Sequence, residues 1–444
     1  MFVLNFAFRT KFYRDSTDHL KNLFFVTKRS ILKNHPCRRS FMKNGLRMAP
    51  SSFICPYCFA SAEIDDIMFQ CANTGCVTAD RVFTEFLLDR PLQNSDRLEK
   101  KQTVFSLKKR KWFSFLTSQG RPICPKCHCE TFIRCCPRCH SVLPHGIDEL
   151  SDFTIAVIGA KESGKSHYIA VLVQQIKTLY SQFGWTLRAM NDETITLYDQ
   201  RFYKPLYRNH LTIVKTQTED VNVRKPLLYA LHFDRDKVNR TIMLAFFDTA
   251  GEALDSEANM RKMNRYIFNA SGVILLLDPL QWVSVRTKLA ELDAREYTGD
   301  ALPKINTEAA SIMNRTATLI RVGRNIPGHG KIDIPFAVAF SKIDMLRLVI
   351  GEEAPLFDRP LHRGGFSVSD FTRCHQCVKN WTDVFDPTLR QGTGDFAKTA
   401  FFGLSALGCN PQQTQKLEHD PRPIRVEDPF LWILWQHHLI PEVQ

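Results

Sequence analysis

Residues 153–173 read FTIAVIGAKESGKSHYIAVLV. A short apolar run, 155–158, leads into Gly159-Ala-Lys-Glu-Ser163-Gly164-Lys165-Ser166, and an apolar-periodic segment follows. That is Gly-x4-Gly-Lys-Ser with a strand expected before it and a helix after it, which is the context a phosphate-cradling loop requires. Glycines at 159 and 164 let backbone N–H groups converge on phosphate oxygens with no Cβ in the way. The start of the following helix adds its dipole to the same anion site. In this reading Lys165 reaches the β- and γ-phosphates and the Ser166 hydroxyl holds Mg²⁺. Ser163 lies within the loop. His167 follows it directly, next to the nucleotide, where a helix-packing role fits better than that of a base. The alternative, a Gly-rich turn that binds nothing, does not account for the full motif with both flanks.

The rest of the chain sets bounds on that reading. Its 444 residues are 44% hydrophobic and 24% charged, an ordinary soluble composition with room for about two or three domains. No apolar run approaches the length of a transmembrane helix, and the opening MFVLNFAFR makes a poor secretory signal. The net charge of +13 looks like a nucleic-acid signal, but residues 1–50 hold eleven Lys/Arg against two acidic residues. That leaves +13 − 9 = +4 for the other 394 residues, so charge makes no general case for nucleic acid. Residues 1–50 have no clear period and are read as a basic, mostly disordered extension. Asp15 and Asp18 weaken a mitochondrial-type presequence reading.

Ten of the fourteen cysteines fall within 51–145. Cys55 and Cys58 are followed by Cys71 and Cys76; Cys124 and Cys127 are followed by Cys136 and Cys139. Pairs two residues apart point to metal in a reducing compartment, hence a cytoplasmic location, rather than to disulfides. Two such corners complete a tetrahedral zinc site of four cysteine thiolates. The simplest assignment is two sequential zinc ribbons, one per group, and crossed pairing is the alternative. His128 or His140 is available to replace a thiolate, since Cys129 and Cys135 are left over. Between the groups lies a basic aromatic run, 105–113 (FSLKKRKWF). It suits nucleic-acid backbone and stacked bases, but a solvated basic face with its aromatics packed inward is the favoured reading.

Residues 150–410 alternate apolar strands with helical lengths. Strands are expected at 153–158, 227–234, 241–247, 272–277, 334–340 and 400–404, the pattern of a mostly parallel sheet covered on both faces. Ligands of such α/β sheets gather at the carboxyl ends of the strands, and three further motifs fall there. Asp248-Thr-Ala-Gly251-Glu252 ends the third strand. Its Asp is suited to Mg²⁺, and Gly251 can offer an N–H to a γ-phosphate. Ser341-Lys342-Ile-Asp344 follows the fifth strand. Guanine presents N1–H and N2–H donors to one carboxylate, so Asp344 is placed to select it, with the Lys342 stem along the nucleotide. Ser405 and Ala406 follow the sixth strand, where a backbone N–H can meet guanine O6. Thr216, with Thr218 beside it, is the candidate switch threonine.

These motifs in this order resemble those of translation-factor and Ras-like GTPases. The wider run, including IGAKESGKSHYIAVL, DTAGE, ILLLDPLQ and VEDPFLWIL, is similar to bacterial zinc-ribbon GTPases of the double-GTPase kind, tied to predicted conflict and signalling systems. The resemblance implies GTP/GDP and Mg²⁺ as ligands and does not establish a partner. Slow intrinsic hydrolysis is expected because the sequence offers no obvious arginine finger, which leaves that charge to a protein partner, a GTPase activator or a paired GTPase component. Ser341 stands where Asn or Thr is usual. Glu252 stands where Ras-like proteins often have Gln, and there it either orients the attacking water or repels the γ-phosphate. Cys374-His-Gln-Cys377 sits in an insert and supplies only two ligands. Residues 411–444 are expected to form a helical extension packed on the domain, with Asp428 as N-cap and Pro429 at the first helical position.

Overall fold

Residues 272–277, GVILLL, have no polar face, and all six are buried. Such a strand needs cover on both sides, and it lies in the middle of a seven-stranded sheet. The computed structural model describes residues 51–107, 121–147, 150–160, 162–214, 225–235, 238–247, 260–292, 309–409, 411 and 415–443. The extension 1–50 and most of the basic run, 108–113, lie outside them.

The sheet strands are β1 Ser151–Gly159, β2 Trp185–Ala189, β3 Leu227–Arg235, β4 Val238–Phe246, β5 Gly272–Leu277, β6 Phe336–Phe340 and β7 Thr399–Gly403. Their spatial order is β7-β6-β5-β1-β4-β3-β2. β1 runs parallel to β4 and β5, and β5, β6 and β7 are mutually parallel neighbours. β3 is antiparallel to both β4 and β2. The six strands expected from the sequence are all present. β2 was not among them, because its alternating half-exposed residues make a weak apolar signal.

Side-chain alternation sorts the strand residues onto two faces. Ile155, Val157, Leu244, Ile274 and Leu276 point to one face, where the helices Lys165–Thr178 (α1) and Asp428–Gln436 lie. Ala156, Ile158, Val273, Leu275 and Val338 point to the other, covered by Met260–Phe268 (α2), Ala309–Arg324 (α3) and Val368–Phe385 (α4). We label the last helix, Asp428–Gln436, α5. The chain is therefore an α/β protein with a mostly parallel sheet, preceded by a cysteine-rich module.

That module is built on Met68–Gln70, which pairs antiparallel with both Val104–Phe105 and Ile133–Cys135. It is tied to the sheet at defined points. The Ile54 N–H donates to Asp152 Oδ2 of β1 (2.6 Å), and Asn269 Nδ2 donates to the Phe59 carbonyl (2.6 Å).

The tail packs on the domain as expected: Phe430, Leu431, Ile433 and Leu434 are fully buried. Its start differs from the expectation. Asp428 does not cap the helix; Glu427 occupies the N-cap position without a side-chain bond to the backbone. The Asp428 carboxylate instead accepts from Arg425 (3.0 Å) and pairs with His362 Nε2 (3.2 Å). A buried guanidinium outcompetes the amides of the first turn. Arg425 also meets Asp370 of α4 (2.9 and 3.1 Å) and the carbonyls of Pro355 and Leu356. It thus joins the tail to the segment after β6. Removing it leaves Asp370 with Arg373, and Asp428 with His362, as their remaining charged partners, so both buried carboxylates lose their main counter-charge. Arg425→Ala is expected to lower unfolding free energy by about 3–5 kcal/mol, measured by urea denaturation, with an unchanged midpoint showing that the network carries no stability.

Candidate functional site

The carboxyl end of β1 turns at Gly159, next to Leu276 of β5. A Cβ at 159 would stand 2.2 Å from the Leu276 carbonyl oxygen, so only glycine fits there. Glu162 (φ 65) and Gly164 (φ 90) have left-handed backbones, and α1 begins at Lys165. Lys165 is almost fully buried, and its Nζ donates to the Gly159 and Ala160 carbonyls, both at 2.9 Å. The ammonium is therefore held at the centre of the loop. Ser163 Oγ is buried with no hydrogen-bond partner among the described residues. Ser166 is the second residue of α1.

His167 turns away from the loop. Its Nε2 accepts the Ile213 N–H at 3.1 Å, and burial, with the charge of Lys342 nearby, lowers the imidazole to about 4. It is a neutral group that fastens α1 to the segment before 214, in keeping with the helix-packing role. Thr216, Thr218, Asp248, Gly251 and Glu252 lie outside the described residues. Phe247, one residue before Asp248, ends the β4 strand region in the core.

The loops after β6 and β7 meet beside the phosphate loop. Lys342 has a left-handed backbone (φ 55) and directs its Nζ to Asp278 Oδ2 at 2.5 Å. Asp278 follows β5; its other oxygen accepts the Leu280 N–H at 3.0 Å, and its side chain is fully buried. Sequence reasoning passed over Asp278, although a lone carboxylate at the tip of an all-apolar strand was the available signal. The Ser341 N–H and hydroxyl both donate to the Leu277 carbonyl (2.8 and 3.1 Å). Ser341 Cβ comes within 4.0 Å of where a Cβ on Gly164 would sit, so this loop abuts the phosphate loop.

Burial raises the Asp344 carboxyl above its ordinary range, with a Ser405 hydrogen bond opposing. Its Oδ1 is buried without a partner among the described residues. An unpaired buried acceptor is costly, and paired N–H donors on a ligand edge would satisfy it. The Ser405 N–H donates to the Ile424 carbonyl (2.9 Å) and its Oγ accepts the Gly408 N–H (3.0 Å). Ser405's own amide is therefore taken, which leaves Ala406 as the candidate N–H for guanine O6.

The cysteines cluster in the crossed way. Cys55, Cys58, Cys136 and Cys139 form one tetrad, and Cys71, Cys76, Cys124 and Cys127 another, each with its four Sγ atoms within 4.8 Å of one another. The sequential pairing is thus corrected. Antiparallel pairing of Met68–Gln70 with Ile133–Cys135 carries the last knuckle back to the first. The three Cys-x2-Cys knuckles share one turn. In each, the residue after the second cysteine (Phe59, His128 or His140) has a left-handed backbone and donates its N–H to the first cysteine's carbonyl at 2.9 Å. Neither histidine belongs to a tetrad. His140 Nδ1 pairs with Asp80 (2.7 Å), the N-cap of helix Arg81–Leu88. Cys374 and Cys377 lie on α4 outside any metal-type cluster among the described residues, with Cys374 Sγ facing the Pro355 carbonyl.

Strand order, phosphate loop and strand-end motifs together define a P-loop GTPase domain. Residues 154–326 match the family model described as Double-GTPase 2. The chain is 27% identical over 324 residues to a putative ESX-1 scaffolding and assembly protein, SaeC, of Mycolicibacterium smegmatis, covering 68% of this chain and 79% of the relative. Among solved structures it is similar to the Arl6 small GTPase of Trypanosoma brucei (13% identity, 65% of this chain, 99% of that chain, TM-score 0.26). It is also similar to a signal recognition particle receptor GTPase complex of Chaetomium thermophilum (14%, 64%, 97%, TM-score 0.25). The chain is a GTP-binding protein, and no described helix is long and apolar enough to cross a membrane.

If Asp278 aims Lys342, its loss should be felt at the nucleotide. Asp278→Ala is expected to weaken GDP binding roughly ten-fold, the scale of one charge-assisted hydrogen bond. Asp278→Asn, which retains an acceptor, should weaken it less. Titration with a fluorescent GDP checks both.

Proposed function

We propose that this chain is a Mg²⁺-dependent GTP-binding switch with slow intrinsic hydrolysis, carrying two structural zinc ions. The observation that carries the reading is the buried, unpaired Asp344 Oδ1 beside Ser405, on a loop that abuts the phosphate loop. Guanine presents paired N–H donors that can satisfy this oxygen, and adenine does not. Residues 159–166 would hold the phosphates, with Lys165 on the β- and γ-oxygens. Ser166 and Asp248 would hold Mg²⁺, which neutralises charge developing on those oxygens. Lys342 would lie along the nucleotide, Gly251 would donate to the γ-phosphate, and Thr216 would sense Mg²⁺. The orphaned Ser163 hydroxyl and the glycine cradle at 159 support a phosphate-binding role.

Fluorescent GDP and ADP titrations with and without Mg²⁺ test the nucleotide. Guanine is expected to win by on the order of a hundred-fold or more, since adenine leaves the carboxylate unpaired. Asp344→Asn should shift the preference toward xanthine. Equal affinity for GDP and ADP would leave an ATPase of the same fold.

Hydrolysis is assigned to Glu252 orienting water, and to a partner that supplies positive charge. Glu252→Ala is expected to leave GTP affinity intact and slow single-turnover hydrolysis by roughly ten-fold or more. A variant as fast as wild type removes Glu252 from catalysis. A protein partner is in keeping with the scaffolding and assembly description of the M. smegmatis relative, and a conflict or signalling system is the setting we assign.

Zinc suits both tetrads: four thiolates converge, most of them buried, and no open ligand position remains for chemistry. Crossed pairing makes a specific prediction for metal analysis. Replacing Cys55 and Cys136 together with Ser should remove one of two ions, whereas replacing Cys55 and Cys124 should remove both. Sequential pairing predicts the loss of both ions in each case.

A further inference from the structure

The two tetrads differ in what surrounds them. Among the described residues, the inner one, Cys71/Cys76/Cys124/Cys127, shares its apolar cluster with module residues, Phe69, Phe105 and Leu107. The outer one, Cys55/Cys58/Cys136/Cys139, shares its apolar core with Met243 of β4. Phe59 directly follows Cys58 and has no solvent exposure. Its N–H is held by the Cys55 carbonyl and its carbonyl by Asn269 Nδ2, so the knuckle dictates where its ring goes. That ring leaves the module and enters the core of the nucleotide domain.

There it meets two rings. The Phe59 and Phe247 centroids are 5.7 Å apart, edge on, and Phe59 and Tyr266 are 5.0 Å apart; Phe247 and Tyr266 themselves stand at 5.6 Å. Phe247 is the residue before Asp248. The Tyr266 hydroxyl donates to the Ile155 carbonyl (2.7 Å) and accepts the Val157 N–H (3.2 Å), both within β1. β1 runs into the phosphate loop and Ser166. The two strands that deliver the proposed Mg²⁺ ligands are thus pinned to one aromatic side chain whose backbone is set by the outer tetrad.

We propose that Phe59 is a positioning residue that couples the outer cysteine tetrad to Mg²⁺-dependent nucleotide binding, while the inner tetrad is uncoupled from it. The proposal rests on the GTP-binding reading above. Loss of the ring lets Phe247 and the end of β1 shift relative to each other, which disturbs Mg²⁺ binding at the strand ends but leaves the Mg²⁺-independent grip of the loop unchanged. Coupling is reciprocal: if the outer metal favours the Mg²⁺–nucleotide geometry, Mg²⁺–GDP must tighten the outer metal site by the same factor.

The test uses the full chain loaded with zinc and N-methylanthraniloyl-GDP. For Phe59→Ala, the Mg²⁺ concentration that half-maximally slows nucleotide release is expected to rise by roughly two- to thirty-fold, the range of coupling carried along packed side chains. Release in excess EDTA should match wild type. A purely structural role would lower the melting temperature and leave the Mg²⁺ midpoint in place, which overturns the proposal. Phe59→Leu keeps apolar volume without the ring. It decides the matter if the alanine variant does not fold, a shifted midpoint supporting the proposal and an unmoved one defeating it. The reciprocal measurement needs no variant. In equilibrium competition with a chromophoric zinc chelator, Mg²⁺–GDP should protect one of the two ions, and equal protection of both or of neither counts against the coupling. Failure to bind any guanine nucleotide would overturn the GTP-binding reading and this proposal together.

Discussion

The carbonyl oxygen of Leu276 leaves no room for a side chain at residue 159, and the nucleotide loop depends on that contact. Parallel pairing of β1 with β5 brings Leu276 opposite Gly159, so the loop departs from the sheet at the only height the register permits. One residue further, Leu277 accepts both Ser341 bonds, and Asp278 takes Lys342. The tip of β5 is therefore the common support of the phosphate loop on one side and the Ser341–Asp344 loop on the other. An all-apolar strand buried on both faces is rigid enough for this because its neighbours fill every space around it.

The same logic explains the Ser341 departure from the usual Asn or Thr. Its hydroxyl is spent on the Leu277 carbonyl, a bond that fixes the loop to the strand before it. The serine therefore acts on the position of Lys342 and Asp344, and in the proposed reading base recognition falls to the carboxylate of Asp344.

What could be read from the sequence follows from where the information lies. The phosphate loop and the Ser341–Asp344 loop were legible as strand-end turns because each is a contiguous run whose flanks fix its geometry. Asp278 was not, since its role depends on a lysine 64 residues away. The tetrads were half legible. Each Cys-x2-Cys knuckle is a local signal, but which knuckle it faces is decided by strand pairing in a small sheet whose strands are two or three residues long. The edge strand β2 was lost because one polar-exposed residue alternates with the next, and Asp428 was misread because a capping propensity yields to a buried arginine.

Crossed pairing also bears on the order in which the module assembles. The outer tetrad joins Cys58 to Cys136 across 78 residues, while the inner joins Cys76 to Cys124 across 48. Once the inner ion is bound, the path between outer partners shrinks to 71 − 58 = 13 residues on one side and 136 − 127 = 9 on the other, 22 in all. Loop-closure entropy grows as (3/2)RT ln n, so closing the inner site first lowers the cost of the outer one by about 1 kcal/mol. On a ribosome the sequence of emergence agrees: residues 124–127 leave the exit before 136–139. If both tetrads take zinc as proposed, the ion beside the nucleotide domain is the one that loop closure favours last, once the rest of the cysteine module is in place.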